Sequence, residues 1–161
     1  MASPTIALSL RVPGDVHEAL AAYADCEGIS VSEAALQAIY ALVADKPTTV
    51  PAARSRIAAE GELTAKVMSY AVDVKQTEYD TEVTRTMFRW IAERHRAVYD
   101  RAIGVGGEHA IRINPQLARR FAYAINAKPV LNAKRNPAKG YLPRNANELI
   151  QSFTLLEKSK G

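Results

Sequence analysis

"IALSLRVPGDVHEALAAYADCEGISVSE", residues 6–33, holds the pattern on which the fold turns. Its first part alternates. Ile6, Leu8, Leu10 and Val12 fall on one side of an extended chain, and Thr5, Ala7, Ser9 and Arg11 on the other. Such alternation over residues 5–12 predicts a half-buried strand, because successive strand side chains point to opposite faces. Pro13 ends it, having no N–H for a ladder. Behind the proline, Val16, Leu20, Tyr23 and Ala24 recur at helical spacing. Asp15 and Glu18 occupy the first turn, where the helix dipole favours anions. Gly28 is the residue type that closes a helix in the left-handed conformation. Ser30 and Glu33 then make a capping box for a second helix. That helix carries Ala34, Ala35, Leu36, Ala38, Ile39, Leu42 and Val43, so it is apolar over much of its circumference and belongs in an interface.

One strand and two short helices cannot bury enough apolar surface to fold alone. A lone strand also leaves its edges unpaired. A second copy resolves both problems if the two strands pair antiparallel and the second helices interlock. Leu8, Leu10, Val12, Val16, Leu20, Leu36 and Ile39 then form one shared dimer core.

The order strand, proline, helix, Gly-x-Ser, helix is carried by "LSLRVP", "GDVHEALAAYADCEG" and "GISVSEAAL". It resembles the ribbon-helix-helix family of dimeric DNA-binding proteins, the Arc, MetJ and CopG group, within residues 1–45 only. The resemblance implies an antiparallel β-ribbon inserted into the major groove, which is wide enough for two strands. It places base contacts on Ala7, Ser9 and Arg11. Arg11 could bond guanine O6 and N7 together, Ser9 could give or accept one bond, and Ala7 offers a methyl. It places DNA phosphate contacts at Ser30, Val31 and Ser32, where the second helix presents free backbone N–H groups. The implied function is sequence-specific binding of double-stranded DNA as a homodimer, with higher-order assembly on DNA. That describes a transcriptional repressor, or a plasmid or phage regulator. Two alternatives share the same module: an antitoxin whose C-terminal region binds a toxin, and a relaxosome or partition accessory protein.

Charge is unevenly spread. Residues 1–47 hold two bases, Arg11 and Lys46, against six acids, a net −4 within a chain of net +4. The remainder therefore carries +8. No acid lies between Glu108 and Glu148, where Arg112, Arg119, Arg120, Lys134, Arg135, Lys139 and Arg144 make a candidate basic surface. Phosphate neutralisation supplies most non-specific DNA affinity. An acidic module with Arg11 nearly alone therefore needs help from this region, from neighbouring dimers, or serves only to dimerise.

The expected architecture is mainly α: a ribbon-helix-helix module over 1–45, a linker over 46–56 around "DKPTTVPAA", and a helical, basic C-terminal domain over 57–161. Within that domain Leu63, Val67, Tyr70, Ala71 and Val74 predict one helix. Val83, Met87, Trp90, Ile91, Val98 and Ala102 predict a second, long one, with Arg85, Arg89, Arg96 and Arg101 on its other face. "AIRI" (110–113) suggests a short strand, followed by a helix capped by Asn114 with Pro115 at its first position. Residues 126–146 read as irregular, and Leu149, Ile150, Phe153 and Leu156 predict a last helix over 147–157. "AIRINPQLARRFAYAI" echoes the N-terminal motif but lacks a following Gly-x-Ser turn.

No constellation suggests catalysis, and the chain is read as a non-enzyme without cofactor. His17, His95 and His109 lack metal-ligand spacing. Cys26, the single cysteine, lies between Asp25 and Glu27, which disfavour a thiolate. "GVGG" (104–107) follows a helical pattern where a phosphate loop follows a strand, so a turn is expected. No apolar run suggests a membrane span, and "MASPTIALSL" lacks the basic start of a signal peptide. A cytoplasmic location is expected.

Overall fold

The turn read at Gly28–Glu33 forms as its residues dictate. Residues 7–44, 46, 51–143 and 148–159 are described by a computed structural model. Helix α1 spans Gly14–Glu27 and α2 spans Val31–Ala44. Between them Gly28 sits at φ 63°, ψ 35°. Its N–H donates to the Asp25 carbonyl (3.3 Å) and the Ile29 N–H donates to the Ala24 carbonyl (3.0 Å). These two bonds make a Schellman cap, and its usual apolar contact is present, since Ala24, Ile29 and Ala34 are buried together. The capping box follows. The Ser30 N–H donates to Glu33 Oε2 at 2.8 Å, and the Glu33 N–H donates to Ser30 Oγ at 3.2 Å.

The strand expected just before α1 does not form in the single chain. Residues 7–13 have no regular secondary structure, and residues 5 and 6 lie outside the described ones. Leu8, Leu10 and Val12, expected on a buried face, are 71%, 60% and 46% exposed. A strand exists only against a hydrogen-bonded neighbour, and the described residues supply none here.

Helix α3, Pro51–Lys75, is the spine of the larger part. It begins inside the linker expected over 46–56. Pro51 suits a helix start because its missing N–H would have no intrahelical partner there; residues 47–50 lie outside the described ones. Leu63, Val67, Ala71 and Val74 line one buried stripe of α3. Leu63 and Val67 are wholly buried, each contributing about 1.5–3 kcal/mol relative to exposure.

The single long helix expected after α3 is two, α4 (Val83–Arg94) and α5 (Arg96–Ile103), broken at His95. His95 leaves the helical region at φ −134°. Its ring meets Trp90 edge-on, 4.5 Å between centroids. Trp90 stacks on Tyr70 at 4.5 Å, and Tyr70 lies 6.0 Å from Phe121. This aromatic row ties α4 to α3 and to α6 (Ala110–Ala124). The basic outer face is not free. Arg85 and Arg89 both reach Glu148 at 2.8 Å, Arg96 pairs with Asp100, and Arg101 with Glu62.

Helix α6 overturns the expected strand at 110–113. One helix runs through Pro115, and Asn114 does not cap it; the echo of the N-terminal motif therefore has no strand. A proline in a helix interior costs about 3 kcal/mol. Continuing the helix buries Ile113, Leu117 and Phe121 on one stripe, each worth about 1.5–3 kcal/mol, so burial wins.

The C-terminal domain is not helical throughout. Residues 127–141, read as irregular, form strands β1 (Ala127–Pro129) and β2 (Lys139–Tyr141). The last helix, expected over 147–157, is instead β3 (Ser152–Thr154) and β4 (Leu156–Lys158); Asn147 lies outside the described residues. β3 pairs antiparallel with β2, and β4 with β1. Leu155 is the switch between them. Its N–H donates to the Ala138 carbonyl and its carbonyl accepts from the Val130 N–H, both at 2.9 Å. Phe153 and Leu156 flank this switch and are both buried in the core shared with the helices. Their spacing of three imitates a helical stripe. Gly140 faces Phe153 across the sheet, and a Cβ there would lie 2.3 Å from the ring. The mainly helical class thus stands, with small two-stranded sheets added.

Candidate nucleic-acid interface

The proposed base-contacting residues Ala7, Ser9 and Arg11 are all exposed, immediately before α1. The apolar residues interleaved with them are exposed too, and Val16 and Tyr23 of α1 extend the same open apolar character. A shallow groove lined by Leu20, Tyr23, Ala34, Ala38 and Ala41 runs between α1 and α2. Of the remaining expected dimer-core residues, Leu20 and Ile39 are half-buried. Leu36 does not lie on that groove; it faces α3 across a cleft described below.

At the start of α2 the capping box uses the Ser30 N–H and the Ser30 hydroxyl oxygen. The N–H groups of Val31 and Ser32 have no partner among the described residues, and Ser30 and Ser32 are exposed. Glu33 brings a negative charge to this same turn and is buried. Burial alone would push its carboxyl up. The Ser30 N–H, the Arg119 charge and the Ser30 hydroxyl outweigh that and hold it below the usual carboxylate value. Arg119 of α6 makes an ion pair with Glu33, so the basic C-terminal region reaches the N-terminus of α2 directly. Nearby, Tyr123 of α6 packs against Gly28, where an added Cβ would meet its Cγ at 2.5 Å.

The expected basic surface is divided by the fold. Arg112, Arg119 and Arg120 lie on α6 and turn towards α2 and α3. Lys134, Arg135 and Lys139 are exposed on the segment that leads from β1 into β2. Its tip is organised by Asn132, whose Oδ1 accepts from the N–H groups of Lys134 (2.9 Å) and Asn136 (3.1 Å). Arg135 takes the left-handed conformation there, φ 58°. Arg144 lies outside the described residues.

Arg112 and Arg120 of α6 border a cleft of about 430 Å³ between α2, α3 and α6. One side is a charged cluster. Glu60 of α3 accepts from Arg112 at 2.6 Å and pairs with Arg56. Both guanidinium groups flank the Tyr40 ring, at 5.3 and 5.7 Å from its centroid. The other side is apolar, with Leu36, Ala65, Met68 and Leu117. Arg120 lines this cleft without an ion-pair or hydrogen-bond partner among the described residues, and its Nη2 is buried. Sequence reasoning grouped Arg112, Arg119 and Arg120 but missed Tyr40 and Glu60. The only local signal was the Arg56–Glu60 spacing of one helical turn.

Among the described residues no group of histidine, cysteine, aspartate and glutamate could hold a metal ion, and Cys26 is an exposed thiol. No described helix is long and apolar enough to cross a membrane. Compared with protein-family models, curated proteins and solved structures, the chain matches none.

Proposed function

We propose that this chain is a dimeric, sequence-specific DNA-binding protein of ribbon-helix-helix type, acting as a repressor. One observation carries the reading. Leu8, Leu10 and Val12 lie uncovered beside Ser9 and Arg11, directly ahead of a helix, Schellman cap, capping box and second helix. An apolar set of this size, alternating with polar residues, is stabilised by pairing with its copy, which buries the leucines and leaves Ser9 and Arg11 outward. The unpartnered Val31 and Ser32 N–H groups supply a phosphate contact at a helix N-terminus. Arg119 supports the same reading by offsetting Glu33, the acid nearest that contact.

The test has two parts. Sedimentation equilibrium of the full chain is expected to give a dimer, and Leu10→Asp a monomer. Selection from a random duplex pool is expected to yield a site with repeated halves, since the symmetry of the protein is mirrored in the operator. Arg11→Ala should cost about 1–3 kcal/mol at one base position of each half. A monomeric chain that enriches no sequence sinks the proposal. A dimer without sequence preference reduces residues 7–13 to a dimerisation element.

A further inference from the structure

We propose that the cleft between α2, α3 and α6 is a binding site for a small carboxylic acid with an apolar body, and that Arg120 is its anchor. The inference stands apart from DNA binding, because that reading makes no use of Arg120 and the test here uses no DNA.

Three observations converge. First, every other charged side chain on the α3 and α6 walls is already matched: Glu60 holds Arg112 and Arg56. Glu33, on α2, is matched by Arg119 and by the Ser30 N–H. Arg120 alone among the cleft's basic residues has no acceptor within the described residues. Second, its Nη2 is buried and unsatisfied. A buried donor without a partner is destabilising, and its persistence calls for an explanation. A guanidinium on a flexible stem turns readily to present two parallel N–H groups, the geometry that a carboxylate accepts in bidentate fashion. Third, the space beside it is shaped for an apolar group. Leu36, Ala65, Met68 and Leu117 line a cleft of about 430 Å³, within the range of small-molecule sites, which are mostly apolar with a few placed polar groups. Met68 is unbranched and adapts to different shapes.

A phosphate or sulfate would satisfy Arg120 but not the apolar wall, and it would meet Glu27 and Glu33 in the same cleft. A single carboxylate carries less charge past those acids. An uncharged hydrocarbon would fill the wall and leave the guanidinium unmatched.

Calorimetric titration of the full chain with phenylacetate and octanoate tests this, with phenylacetamide as the uncharged match. The expected result is saturable binding of at least one acid at one site per chain in the millimolar range or tighter. Phenylacetamide and Arg120→Gln should each weaken that binding about tenfold or more, the loss of a charge-assisted hydrogen bond. Ligand-free Arg120→Met is expected to melt no lower than the parent chain, since the substitution removes an unsatisfied donor. Neither acid binding at millimolar concentration overturns the proposal. So does phenylacetamide binding as well as phenylacetate, or Arg120→Gln binding unchanged. A ligand-free Arg120→Met that melts several degrees lower assigns Arg120 to the fold and overturns it as well.

Discussion

Replacing Gly28 by alanine measures how firmly the α1–α2 turn is seated on α6. Two costs arise from the structure. Gly28 holds φ 63°, and a residue with a Cβ pays about 1–2 kcal/mol in the left-handed region. The new Cβ would also lie 2.5 Å from Tyr123 Cγ and 2.7 Å from Tyr123 Cβ. Tyr123 Cβ is fixed to the backbone of α6, so rotating the ring does not relieve the clash. Forcing an extra methyl into a filled site costs about 1–3 kcal/mol. The expected total is about 2–5 kcal/mol. The two parts separate in a second background. Tyr123 is largely exposed, so Tyr123→Gly alone costs little beyond glycine's helix penalty of about 1 kcal/mol, and by deleting both Cβ and Cγ it removes the steric part. Gly28→Ala in that background should then cost only the backbone share, leaving a coupling of about 1–3 kcal/mol between the two sites. Urea unfolding followed by helical circular dichroism and by fluorescence of Trp90, the single tryptophan, gives all four values. Equal cost of Gly28→Ala in both backgrounds would falsify the contact.

Gly140→Ala is expected to destabilise by about 1–3 kcal/mol, because its Cβ would enter the Phe153 ring at 2.3 Å; a neutral effect in urea unfolding would contradict that packing. Arg135→Gly should stabilise by up to about 1 kcal/mol by relieving the left-handed strain at φ 58°, offset in part by glycine's greater entropy when unfolded; a loss above that size would point to a contact made by the arginine. Acid should weaken the fold in two stages. Desolvation first, then neighbouring cations such as Lys66 for His95 and Arg56 for His109, hold both histidines below their ordinary value of 6.5. Their contribution is present above that value and is lost as pH falls through the lower folded one. The Arg85 hydrogen bond holds Glu148 below the ordinary 4.5, and Glu33 is held there too. Their share survives the first stage and disappears as pH falls past 4.5 through the folded values. Chemical unfolding between pH 8 and 3 checks this, and stability that grows below pH 6.5 contradicts it.

The parts legible in the sequence are those decided locally. The Gly28 cap and the Ser30–Glu33 box need only residues within one turn of each other, and they formed as read. The buried stripe Leu63, Val67, Ala71 and Val74 was legible because a helix repeats its face every three to four residues. The strands at 127–158 were not. Phe153 and Leu156 share a burial direction only because the chain changes partner at Leu155, and partner choice is a long-range event. Pro115 misled for a related reason: its local preference for a helix start yields to Ile113, Leu117 and Phe121, whose burial depends on α3. The cleft around Arg120 joins residues from 27 to 120 along the chain, and no short motif announces such a set.

The strand switch at Leu155 also orders events during synthesis. Residues 51–124 supply the helices of the main core, yet Ile150, Phe153 and Leu156 close that core from the far end of the described chain. The Leu156 N–H even donates to the Thr81 carbonyl, just ahead of α4. A nascent chain that has released α3 to α6 therefore exposes the seat of Phe153 until residues 150–156 clear the ribosome. Stalling just before that point should leave a helical, chaperone-seeking intermediate, and stalling behind an added C-terminal linker that carries residues 150–156 clear of the ribosome a protected one.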